Sequence, residues 1–103
     1  MSGPDLERAQ REDTRWLILQ VLDKARPLGA PEELILVVVQ ARYAAANQSG
    51  LRREMDYLEK RELIKIVRAP SGPWTAELLR YGIEIVDYTV DCDPGIARPP
   101  KYW

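Results

Sequence analysis

Histidine is absent from this chain, and cysteine occurs once, as Cys92. The first absence removes the commonest general base, metal ligand and pH switch together. The second excludes an internal disulfide and any metal site built from cysteines. No metal and no cofactor is therefore expected. Long apolar runs are also missing. The longest, Leu34 to Val39, is six residues, against the ~20 that a membrane helix needs. The start of the chain is polar and acidic from Asp5 to Asp13, unlike a signal peptide. The expected setting is cytoplasmic, with no membrane partner. A net charge of -1, from 15 cations and 16 acids, rules out a bulk polycation. Any nucleic-acid binding must come from local patches.

Enzyme chemistry has little to work with. Carboxylates are plentiful, but no pair sits in an apolar setting that would split two pKa values. Gly50 and Gly72 fall in turns, and no Gly-rich phosphate loop is present. Cys92 has no histidine to activate it and stands between Asp91 and Asp93, whose charges disfavour a thiolate. The expectation is a protein that binds rather than catalyses.

What the chain does have is 103 residues, 46% of them hydrophobic, enough for one domain with a single modest core. Residues 1–13 read as a polar N-terminal extension, either a solvated continuation of the first helix or a frayed lead. Asp13 or Thr14 can cap a firmer start. Ile18, Val21, Leu22 and Ala25 then share one helical face, and Trp16, Leu17 and Leu19 widen it beyond a normal stripe. That surface is either the centre of a small fold or, in part, a dimer contact anchored by Trp16. Pro31 at a first helical position, with Glu32 and Glu33 in the first turn, opens a second helix over the run Leu34 to Val39. Being apolar on most sides, it is expected to be buried.

A third helix follows Asn47 and Ser49, both plausible N-caps. Leu51, Met55 and Leu58 fall on its core face, with Arg53 and Lys60 opposite. The β-branched run Leu63 to Arg68, the turn Pro70-Ser71-Gly72-Pro73 and the return run Trp74 to Leu78 read as a hairpin. Trp74 suits cross-strand packing better than a groove contact. Leu79 to Tyr88 reads as a short fourth helix, although Gly82 lies inside it. Residues 89–103 hold three of the eight prolines and form an extended tail. Its aromatic end, Tyr102 and Trp103, either packs back on the domain or docks on a twin subunit or another protein.

This order of elements, mainly α with a small β-hairpin, resembles the winged helix-turn-helix superfamily across residues 14–88. The nearest likeness is the segment Leu51-Arg52-Arg53-Glu54-Met55-Asp56-Tyr57-Leu58-Glu59-Lys60-Arg61-Glu62-Leu63-Ile64. Many such regulators carry Gly where Glu62 stands here. The stretch Ala76 to Val86, with the Pro-rich Pro94 to Pro100, is similar to small proteins of Mu-like prophages.

The resemblance implies a DNA-binding transcriptional regulator of a bacterium or its prophage, working as a homodimer on double-stranded DNA. Its third helix would lie in the major groove. Arg52 and Arg53 would reach guanine edges or phosphates, Gln48 would read adenine, and Ser49 would donate its hydroxyl to a phosphate. Lys60, Lys65 and Arg68 would hold backbone phosphates, the last two from the wing. Between Lys60 and Arg80 five cations face two acids, a local +3 that leaves the rest of the chain at -4. Two facts weigh the other way. Glu54, Asp56 and Glu59 share the helix with the arginines, where such residues often form solvated ion pairs, and Asp56 would repel phosphate. A winged-helix module that binds protein instead of DNA is the alternative.

Overall fold

The computed structural model describes residues 3–101. Four helices and a three-stranded antiparallel sheet follow in the order α1 (Gly3–Lys24), β1 (Ala30–Pro31), α2 (Glu32–Arg42), α3 (Gln48–Lys60), β2 (Ile64–Arg68), β3 (Trp74–Leu78) and α4 (Arg80–Val86). The chain is thus mainly helical, with the sheet order β1-β3-β2.

Helix α1 lies at the centre. Trp16, Leu17, Ile18, Leu19 and Leu22 are all buried, so nearly every side of this stretch meets the core. Trp16 is 6% exposed and sits edge-on to Tyr88 at 6.2 Å between ring centres. It is a core residue, and the expectation that it anchors a partner is corrected on that ground. The helix does not begin at Asp13 or Thr14. It runs unbroken from Gly3, and the Thr14 hydroxyl donates back to the Gln10 carbonyl at 2.8 Å, a contact of a helix interior. Asp13 instead accepts from Arg42 and from the Tyr43 hydroxyl, both at 2.6 Å, and ties α1 to the end of α2.

Helix α2 is half covered. Ile35 and Val39 are buried, but Leu34, Val37 and Val38 are 50%, 63% and 36% exposed. The expectation of a wholly buried helix is corrected: an apolar run describes its own surface, not what covers it. Pro31, read as the first helical residue, stands just before the helix and pairs with Thr75 in β1. Gly29, at φ +78°, lets β1 come alongside β3, since a Cβ there would collide with the Ala76 carbonyl.

The hairpin matches its expected limits except that β2 begins at Ile64, one residue after Leu63. Ile64 pairs with Leu78, Ile66 with Ala76 and Arg68 with Trp74. Ile64 and Ile66 are buried against the helices while Lys65 and Val67 face outward. Helix α4 tolerates Gly82 for a packing reason: a side chain there would strike the Leu63 carbonyl and Leu78. Residues 89–101 contain no helix or strand, and they pack back on the domain. Ile96 is buried, the Ala97 amide donates to the Glu12 carbonyl at 3.1 Å, and Arg98 donates to the carbonyls of Ile85 and Val90. Tyr102 and Trp103 lie outside the described residues. No described helix is long and apolar enough to cross a membrane.

Candidate nucleic-acid interface

Helix α3 is defined at both ends. The Asn47 carboxamide oxygen accepts the Gly50 amide at 2.8 Å, the N-cap expected of it. At the other end the Leu63 amide reaches the Leu58 carbonyl and the Glu62 amide reaches that of Glu59. This pair of bonds ends a helix through a residue in the left-handed region, and Glu62 takes that place at φ 63°. The turn thus keeps the conformation that Gly favours, with a glutamate in it. Leu51, Met55 and Leu58 are buried on one side. The rest of the helix divides into two flanks and an outward strip.

The flank toward the hairpin is locked. Glu32, 1% exposed, accepts two bonds from Arg52 at 2.7 Å each, and it also accepts the Trp74 backbone amide. Arg52 and Arg68 both lie over the Trp74 ring, at 4.4 and 4.6 Å from its centre. Arg68 also binds Asp56 at 2.5 Å and Glu59 at 2.7 Å, and Glu59 accepts the Ile66 amide. The bonds from Arg52 hold the Glu32 carboxyl below its ordinary range, with the Trp74 amide adding to them against burial. Arg68 lowers Glu59 in the same way. Arg52 and Arg68, two residues expected to touch DNA, are therefore engaged within the chain, while Gln48, a third, is exposed at the start of α3.

The flank toward α1 is also tied. Buried Glu54 pairs with Arg15 at 2.8 Å. Arg15 and Arg61 each lie 3.5 Å from the centre of the Tyr57 ring. Asp93, from the C-terminal segment, accepts from Arg61 at 3.0 Å, from the Tyr57 hydroxyl and from the Gly95 amide. The Gly95 amide is the main reason that the Asp93 carboxyl is lowered.

Between these flanks runs a strip of exposed residues, Ser49, Arg53 and Lys60. Among the described residues Ser49 reaches only Asn47, at 3.5 Å. Among the described residues, neither Arg53 nor Lys60 has an ion-pair partner. Asp56 lies beside them and shares Arg68 with Glu59. Lys65 is elsewhere: it points from the outer face of the sheet, in register with Glu77, away from α3.

Sequence reasoning missed Glu32, Arg15 and Asp93 as organisers. Glu32 was read only as an acidic first-turn residue. Its partner lies 20 residues along the chain, beyond any local spacing rule. Among the described residues no group of His, Cys, Asp and Glu is arranged to hold a metal ion. Burial pushes the Cys92 thiol up, away from a reactive thiolate. No family model, characterised protein or solved structure matches the chain.

Proposed function

We propose that this chain is a winged-helix protein that binds double-stranded DNA through the outward strip of α3 and regulates transcription in a bacterium or its prophage. The single supporting observation is that, among the described residues, Arg53 and Lys60 have no ion-pair partner on a helix whose other arginine, Arg52, is held by Glu32. Unmatched cations on one exposed face suit a polyanion. The order helix, helix, helix, hairpin with the short strand β1 at its side supports the winged-helix assignment. In this reading Arg53 meets a base edge, and Ser49 and Lys60 meet phosphates. Arg52 and Arg68 fix the hairpin against the helix.

The test begins with selection from random duplexes, followed by fluorescence anisotropy on the enriched sequence. Arg53→Ala weakens specific binding by about 1–3 kcal/mol if the residue reads a base. An unchanged titration ends this assignment.

A homodimer belongs to the same proposal. The face available for it is the exposed side of α2, where Leu34, Val37 and Val38 form an uncharged stripe. Such a stripe is compatible with its own copy across a two-fold axis. The same stripe favours the second reading, a protein-binding module without DNA. Salt separates the two. Duplex binding weakens steeply as salt rises, whereas association through aliphatic residues does not. Val37→Glu with mass measured in solution tests the stripe, and an intact dimer excludes it.

A further inference from the structure

A winged-helix protein is expected to grip the backbone of its duplex with cations on the hairpin. Here Lys65 faces away from α3 and Arg68 is held by two carboxylates. The hairpin has no cation to spare on the α3 side. Helix α1 does.

Arg11 is exposed and has no ion-pair partner among the described residues. It borders two clefts between α1 and α3, and Arg53 borders both as well. The first, about 360 Å³, runs past Gln10 and Thr14 to Asn47 at the start of α3. The second, about 450 Å³, runs toward Lys60. Of the acids in these clefts, Glu54 is matched by Arg15, and Asp56 shares Arg68 with Glu59, so that Glu7 and one shared negative charge stand against Arg11, Arg53 and Lys60. Like charges gathered on two neighbouring helices repel one another in the free protein, and a chain of phosphates relieves that repulsion. The N-terminal part of α1, exposed from Glu7 to Ala9, extends beyond the part of the helix that fills the core.

We infer that α1, rather than the hairpin, supplies the phosphate clamp, with Arg11 holding a backbone phosphate from the α1 side of the α1–α3 cleft, beside the base edge that Arg53 meets from the α3 side. This rests on the duplex reading above and names the backbone contact within it. The strand that borders the occupied groove runs along α1, and the hairpin stays clear of it.

The experiment uses the full chain and a mixed-sequence duplex, because backbone contacts do not depend on base sequence. Affinity is measured by anisotropy over a series of salt concentrations for the parent, Arg11→Ala, Arg11→Lys, Arg53→Ala and Lys65→Ala. Circular dichroism checks that each variant is folded. The slope of log affinity against log salt should fall in magnitude by about 1 for Arg11→Ala, the share of one phosphate contact. Arg11→Lys should restore it, and Lys65→Ala should leave it unchanged. A parent slope retained in Arg11→Ala overturns the clamp, as does a slope lost in Lys65→Ala instead. If the parent binds no duplex even at low salt, the DNA reading itself falls. If Arg53→Ala weakens binding and Arg11→Ala does not, only the clamp falls.

Discussion

Arg52 and Arg53 are neighbours in sequence and have opposite circumstances. Arg52 is bonded twice to a buried glutamate and stacked on Trp74, while Arg53 is exposed and, among the described residues, without an ion-pair partner. A helix turns by about 100° per residue, so adjacent arginines face different surroundings. One surrounding holds an acid that needs a cation, and the other holds solvent. The locked arginine shapes the fold; the open one is available for a ligand. Residue type and local charge do not separate these roles, but position around the helix does.

The contrast can be broken first at Glu32. Glu32→Ala removes the acceptor of both Arg52 bonds and of the Trp74 amide. It should destabilise the fold by about 2–3 kcal/mol, at the low end for a buried pair because the Arg52 side chain is 28% exposed. Urea denaturation measures this, and a change near zero would mean that the flank is not locked.

Acid probes the same flank. Glu32 and Glu59 are held below the ordinary glutamate value of 4.5. Their contribution is therefore complete above about pH 4.5 and is lost as pH falls through their lowered folded values. The midpoint in urea should drop on going from about pH 6 to about pH 3. Glu32→Gln should show a smaller drop, and equal drops in the two proteins would remove Glu32 from the account.

Glu62 closes α3 between the two flanks and sits at φ 63°. Glu62→Gly should stabilise by about 0.5–1 kcal/mol, by relieving a conformation that costs side-chain-bearing residues free energy. Thermal melting reads the sign. The smallest effect belongs to the open strip: Arg53→Ala and Lys60→Ala should each stay within about 0.5 kcal/mol of the parent in stability. A larger loss would reveal a structural partner for these side chains and weaken the case for a ligand.

The parts of this fold that were legible in the sequence are those written in local spacing. Leu51, Met55 and Leu58 announced the buried side of α3, and the alternation of Ile64, Lys65 and Ile66 announced β2. Asn47 and the Pro70–Pro73 turn marked boundaries. Strand β1 was not legible, because two residues, one of them proline, carry no pattern. The ion pairs were not legible either. Arg15 and Glu54 lie 39 residues apart and Arg61 and Asp93 lie 32 apart, while spacing rules reach only three or four residues along a helix. That is why the expected DNA contacts divide as they do: Arg53, Lys60 and Ser49 stand on the outward strip, and Arg52 and Arg68 serve the hairpin. Arg11, in a stretch that reads as a polar N-terminal extension, gains its interest only once α1 is seen to pass beside α3.

The Ala97 amide on the Glu12 carbonyl and the Arg15 guanidinium on the Gly95 carbonyl stitch the end of the chain to its first helix. Mechanical tension applied at the two ends would load these stitches before it reached the sheet. Stretched in an optical trap, the molecule should resist as one piece and then yield abruptly, with the final segment and the opening turns of the first helix peeling away together.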